Sequence, residues 1–261
     1  DAPTAREIAS SFGLKLTAPC RHTPAIAGFH EGHTSSLLGT SITPPGGGTS
    51  AVCLCAMTET QTSVMDQCPR SRWDPGLGEF IGSWLARCDL FAASFFKISH
   101  VEASTMDPQQ RLILESNYSA LHQAGFTARS LLSCNMGAYM VIGQADWGHC
   151  LGASPMALSV YAATSATGSI AAGRISYTFG LMGPNAMIDT ACSSALAATH
   201  FGTHELHESE ADLIGAINLN LQPDSWESLM RAGMLSRTGA CRVWDSMGDG
   251  LKRGEGAEAG L

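Results

Sequence analysis

The chain has 261 residues, 44% of them hydrophobic and only 15% charged, with a formal net charge of −8. That composition excludes a disordered chain and leaves length for one large domain or two small ones with a real core. The acidic balance lacks the basic stripe that a nucleic-acid partner requires, and no apolar run reaches the ~18 residues of a membrane span.

Nine cysteines are scattered along the sequence without a CxxC pair. They read as reduced thiols in an intracellular compartment, cytoplasmic or organellar, rather than as a disulfide framework. Cys53-x-Cys55 and His149-Cys150 lack zinc-ligand spacing, so neither a metal nor a bound cofactor is expected. There is no initiator Met and no signal peptide, and both ends read as edges of a longer polypeptide.

Residues 1–34 have weak periodicity and read as a linker or the tail of a preceding region; one domain is expected over 35–261. An apolar start at Leu37 runs into Pro44-Pro45-Gly46-Gly47-Gly48, a strand entering a turn. Residues 51–66 form a candidate helix, and Arg72 to Gly76 a loop. A helix begins near Met106: Asp107 caps it, Pro108 fits the first position, and Gln110 completes a capping box. Leu112, Leu114, Tyr118 and Leu121 then face a core, and Gly125 stops the helix. The glycosylation match at Asn117-Tyr118-Ser119 falls inside this helix and is read as chance.

Gly137 to Gly143 reads as a buried strand, Ser165 to Phe179 as a helix ended by Gly180, and Ala186 to Asp189 as another buried strand. A helix over 192–207, a strand at 213–221 and a short helix around 224–232 follow. Alternating strands and helices with short connections predict a layered α/β domain with a mainly parallel sheet.

Chemistry concentrates at Ile188-Asp189-Thr190-Ala191-Cys192-Ser193-Ser194-Ala195. A strand running through small residues into a helix places Cys192 on the first helical turn. Amides there lack intrahelical partners, which favours a thiolate and could receive the negative oxygen of a tetrahedral intermediate. Ala191, Ala195, Ala198 and Gly202 form a small-residue stripe that lets this helix approach its neighbours and be buried. From the residues alone, Cys192 is either a buried structural thiol or a nucleophile.

Asp189-Thr190-Ala191-Cys192-Ser193-Ser194-Ala195-Leu196 resembles the active-site signature of ketosynthase domains in polyketide and related fatty acid synthases, with Ala195 where Ser is usual. The neighbouring segments agree in order. They are Leu38 to Gly47, Ser71-Arg72-Trp73-Asp74, Asp89-Leu90-Phe91, Met106-Asp107-Pro108-Gln109-Gln110-Arg111-Leu112, Ala171 to Tyr177, Gly233-Met234-Leu235-Ser236, and Asp249 to Gly256. The resemblance covers about Ser35 to Leu261.

It implies a thiolase-like fold, the N-terminal half of an α-β-α-β-α layered homodimer. It also implies a β-ketoacyl-[acyl carrier protein] synthase. Cys192 takes an acyl chain from the phosphopantetheine thioester of an acyl carrier protein, and its own backbone N–H serves the oxyanion hole. A malonyl-type extender then loses CO₂ and attacks the acyl-Cys192 thioester. Gly173 departs from the usual Asn, and His100 from a frequent Pro. The family's two catalytic histidines and its lysine have no counterpart here. His149, His200, His204 and His207 are not expected to replace them, so this chain alone is expected not to condense. Arg242, Asp245, Asp249, Arg253 and Glu255 are candidates for one polar network at the site floor, or else solvated loop charges. Trp73 and Trp147 read as core or pocket-rim residues. The glycines at 248, 250, 254 and 256 read as turns rather than a phosphate cradle. Two other readings stay open: a Cys-dependent acyltransferase or hydrolase, and a non-catalytic, dimer-forming domain derived from condensing enzymes.

Overall fold

The computed structural model describes residues 37–45, 51–60, 63–73, 80–205, 209 and 211–261. The expected linker over 1–34, the glycine turn at 46–48, most of the 72–76 loop and His207 lie outside them. In chain order the main elements are β1 (Thr40–Thr43), α1 (Ala51–Glu59), β2 (Asp66–Gln67), β3 (Ile81–Gly82), α2 (His100–Thr105), α3 (Pro108–Gln123), α4 (Ala128–Leu131) and β4 (Met136–Ile142). Then come α5 (Trp147–Gly152), α6 (Ala162–Ser165), α7 (Gly168–Phe179), β5 (Asn185–Met187), α8 (Ser194–Glu205), β6 (Ala211–Asn218), α9 (Pro223–Arg231) and β7 (Gly256–Gly260).

Five strands form one sheet in the order β1-β7-β6-β4-β5. β4 lies parallel to both β5 and β6, whereas β7 runs antiparallel to β6 and to β1. The sheet is therefore mixed, not mainly parallel: the run after Arg253, read as a turn, becomes β7, which lies antiparallel between β1 and β6. Its period-two pattern is real. Ala257 and Ala259 are buried and Glu258 faces out, but alanine carries little strand signal.

β4 is buried along its whole length, as its apolar run predicts for a central parallel strand. Its residues alternate between two cores. Met136, Ala138, Met140 and Ile142 meet Ile113, Leu114, Leu121, Ala171 and Ile175 from α3 and α7. Tyr139 and Val141 point the other way, against Ala198 of α8. The result is three layers: α3 and α7, the sheet, then α8.

The N-terminus of α3 is capped as expected, with the Asp107 side chain accepting from the Gln109 N–H at 2.7 Å and Pro108 at the first position. The capping box does not form. The Asp107 N–H donates to the Ser165 carbonyl, and the Gln110 amide donates to the carbonyls of Thr164 and Thr167. Helix 3 buries Ile113, Asn117 and Ala120 beside Leu114 and Leu121, while Tyr118 is exposed. With Asn117 fully buried, the sequon is closed to glycosylation.

The helix expected over 165–179 is α7, which starts three residues later at Gly168, after the short α6 ends at Ser165; Gly180 ends α7 in the left-handed region at φ 74°. β5 is not buried: it is the outer strand, paired with β4 alone among the described residues. Helix 8 does approach the sheet closely, since a Cβ on Gly202 would sit 3.1 Å from Ile214 Cδ1. Yet only one stripe of it is covered. Leu196 and Phe201 are exposed, which corrects the expectation of a buried helix.

Candidate active site

The chain leaves β5 with the Ile188 N–H still donating to Met140 of β4, then turns sharply. Side chains hold the turn. Asp189 Oδ1 accepts from the Ala191 N–H at 3.0 Å, the Thr190 N–H donates to Ser194 Oγ at 2.7 Å, and that hydroxyl donates to the Ala191 carbonyl. Ser193 Oγ donates to the Thr190 carbonyl at 2.8 Å. These bonds hold Ala191 at φ 59°, a left-handed conformation that side-chain-bearing residues seldom adopt. Such strain persists only where the surroundings over-determine it, and it concentrates at functional turns.

Cys192 follows on a single 3₁₀ turn (Ala191–Ser193) ahead of α8, with its thiol exposed. It lines a pocket of about 860 Å³ with Ala191, Ser194 and Ala195. The pocket is also lined by the C-terminal ends of β4 (Val141, Ile142) and β6 (Ala216, Ile217) and the start of β7 (Gly256, Ala257). Ligands of open α/β sheets bind outside such strand ends. A strand-to-helix turn that presents a thiol to an apolar pocket suits a nucleophile better than a structural cysteine. Cys68 and Cys88 show the contrast: both are buried, and burial pushes both thiols up.

The charged residues read as one network fall into separate groups. Glu255 is fully buried. It accepts from Arg72 Nη2 at 2.7 Å and Nε at 3.2 Å, and from the backbone N–H groups of Leu85 and Asn220. Burial alone would lower the Arg72 guanidinium, but the Glu255 carboxylate holds it above its ordinary value. Arg72 also donates to Cys88 Sγ. Asp249 instead braces an exposed loop, accepting from the Ser236 and Thr238 hydroxyls and the N–H groups of Arg237 and Thr238, and these bonds lower its carboxyl. Arg242 donates to the Met247 carbonyl, and Asp245 accepts from the Met247 N–H.

Arg253 is buried over the ring of Trp226 and donates to Gln144 and Ser225. It lines the Cys192 pocket, as do Gln144 and Glu255. Gln144 carried no signal in the sequence, because its place depends on where β4 ends. Trp73 sits in an aromatic cluster with Phe80, Trp84 and Trp226, and Trp147 donates to the Thr105 carbonyl.

No described histidine lines the pocket. His149 lies on α5, exposed, and His200 and His204 lie exposed on α8 with ring centroids 4.4 Å apart. Among the described residues, no group of three or more His, Cys, Asp or Glu is placed to hold a metal, and no helix is long and apolar enough to cross a membrane.

The family model of the β-ketoacyl synthase N-terminal domain matches residues 42–260. The chain belongs to this family. It is 36% identical over 238 residues to the reducing polyketide synthase ppsB of Aspergillus oryzae, covering 85% of this chain and 10% of that protein. It is 38% identical over 209 residues to a phenolphthiocerol/phthiocerol polyketide synthase of Mycobacterium tuberculosis, covering 72% and 10%. The ketosynthase from module 6 of the bacillaene synthase of Bacillus subtilis 168 superposes with a TM-score of 0.75 at 33% identity, over 86% of this chain and 39% of that one. The oxazolomycin ketosynthase domain OzmH KS7 of Streptomyces albus JA3453 gives a TM-score of 0.77 at 28% identity, over 86% and 41%. The fold is thus the thiolase-like α/β fold of ketosynthases. The chain spans about 10% of the length of these curated relatives and about two fifths of the solved ketosynthase chains.

Proposed function

We propose that this ketosynthase domain serves a β-ketoacyl-[acyl carrier protein] synthase of the polyketide type, with Cys192 as acyl acceptor. The observation that carries the reading is the exposed Cys192 on the strained Ala191–Ser193 turn, lining the 860 Å³ pocket. In the first step the Cys192 thiolate attacks the carbonyl of the carrier's acyl thioester. A new C–S bond forms, the carrier's C–S bond breaks, and the carrier thiol departs with a proton. The Ala191 N–H is held by Asp189, so the negative oxygen of the intermediate finds Cys192's own N–H, which has no carbonyl behind it in the helix. In the second step a malonyl-type thioester loses CO₂. The electron pair of the broken C–C bond attacks the acyl-Cys192 carbonyl and expels the Cys192 sulfur, leaving a β-ketoacyl thioester on the carrier.

The second step needs groups that the resemblance assigns to two histidines and a lysine not found among these residues. A hydrolase would need a histidine beside Cys192, and the described pocket has none. The expected outcome is therefore an acyl adduct without a condensation product. Incubating the chain with an acyl N-acetylcysteamine thioester, followed by intact-mass measurement, should add one acyl group, and the Cys192→Ala variant should gain none. An adduct of equal yield on the variant would overturn the nucleophile. A β-keto product from the native chain would overturn the division of labour.

The outer edge of β5, unpaired among the described residues, and the exposed side chains of Tyr177 and Met182 support a homodimer through this edge. A monomer by sedimentation equilibrium at micromolar concentration would argue against it.

A further inference from the structure

Among the described residues, Arg253 is a cation without a counter-ion. It is 8% exposed, yet no described carboxylate lies within 4 Å of it, whereas buried Arg72 pairs with Glu255 and part-buried Arg174 with Glu102. Its partners are neutral: Gln144 Oε1 at 2.8 Å, Ser225 Oγ at 3.3 Å, and the face of Trp226, 5.4 Å from the guanidinium carbon. The negative groups that reach it at longer range are already committed. Asp146 accepts from the Leu221 N–H and the Ser225 hydroxyl, and Glu255 accepts from Arg72 and two backbone amides.

Burial lowers the Arg253 guanidinium, as expected for a charge taken out of water without a partner. Two of its five N–H groups are used, which leaves the fork able to take a pair of oxygens. Around these holders, the backbone carbonyl of Gln144 accepts from the side-chain amide of buried Gln109, and the Ser225 hydroxyl donates to Asp146 Oδ2 at 3.4 Å. Arg253, Gln144 and Cys192 line the same pocket.

We propose that Arg253 is the anion-holding residue of the Cys192 pocket, a specificity-determining residue that takes an oxyanion of the thioester substrate two-pronged. This rests on the reading of Cys192 as acyl acceptor. The oxyanion comes either from the carboxylate of a malonyl-type extender or from the phosphate of the pantetheine arm. Both present paired oxygens to the fork.

Three probes separate the sources. Acetyl pantetheine thioester is neutral, acetyl phosphopantetheine adds only the phosphate, and malonyl N-acetylcysteamine thioester carries only the carboxylate. The rate of Cys192 acetylation is measured for the first two. The third is used as a competitor of the neutral ester, beside the uncharged malonamoyl N-acetylcysteamine thioester, in which a carboxamide replaces the carboxylate. In the native chain the phosphate, the carboxylate or both should give an advantage of about tenfold or more over the neutral compound. Arg253→Gln should erase that advantage, and Arg253→Lys should keep part of it. No anion advantage in the native chain, or one that survives Arg253→Gln, would overturn the proposal. An anion that binds without changing acetylation or competition would also overturn it, by seating instead in the neighbouring cavity of about 540 Å³ lined by Trp226, Lys252 and Arg253.

Should Arg253→Gln fail to fold, Arg253→Lys decides. A loss of advantage of threefold or more supports the two-pronged grip, and no loss ends it. If the neutral ester leaves Cys192 unmodified, the nucleophile reading fails separately. Calorimetric titration of the native and Arg253→Lys chains with the malonyl thioester and phosphopantetheine then judges Arg253 alone: weaker binding by the variant supports the site, and equal binding ends it.

Discussion

Replacing Glu255 by Gln should cost about 3–5 kcal/mol of the chain's stability. The native carboxylate has no exposed side-chain surface and receives four N–H groups, two from Arg72 and one each from Leu85 and Asn220. Gln has nearly the same shape but turns one acceptor into a donor. It therefore faces two of those N–H groups with a third, and leaves the Arg72 side chain, only 8% exposed, without its counter-charge. Breaking a buried pair in this way costs about 3–5 kcal/mol, against a total stability of roughly 5–15 kcal/mol for a domain. Removing both charges should recover part of the loss, so Arg72→Met combined with Glu255→Gln should cost less than the two single changes added, with a coupling of about 2 kcal/mol or more. Urea unfolding followed by circular dichroism measures all four chains. A single Glu255→Gln change costing under about 1 kcal/mol, or strict additivity, would refute the reasoning.

Asp107 gives a pH signature. Burial pushes its carboxyl up from 3.8 to about 6 against the bonds from Gln109 that lower it. The folded chain therefore holds this proton more tightly than the unfolded one. The stability it contributes is fully present below pH 3.8 and is lost as pH rises through about 6, a swing of about 3 kcal/mol. Asp107→Asn keeps the cap and abolishes the titration, so the variant should melt higher than the native chain at pH 8 and lose that lead by pH 4. A lead independent of pH would count against burial as the cause. Gly173 lies within α7, where an added Cβ meets nothing within 4 Å. Gly173→Ala should stabilise the chain by about 0.5–1 kcal/mol in thermal or urea unfolding, and a loss would show a hidden contact.

What the sequence revealed followed from local physics. The Asp107-Pro108 helix start, the apolar run of β4, the left-handed stop at Gly180 and the strand-to-helix turn at Cys192 are each written in a few adjacent residues. The failures concern partners distant along the chain. Gln110 fits a capping box but is drawn off by carbonyls of 164 and 167, some 55 residues away. The exposure of α8 depends on what lies over it, which a small-residue stripe does not encode. Arg253 and Glu255 look alike as loop charges. Only the fold gives one a carboxylate's opposite number and the other an aromatic ring and two neutral oxygens.

β7 has a consequence for how the chain comes to be made. It is wedged between β6 and β1, with Gly260 opposite Thr40. The first strand must therefore wait, edge bare, until residues near 260 have left the ribosome. At about 5–20 residues per second that wait is on the order of 10–45 s. During it the newborn polypeptide offers an open row of amides and carbonyls to any passing strand, so its yield in cells should depend on chaperone supply and synthesis speed more than its final stability suggests.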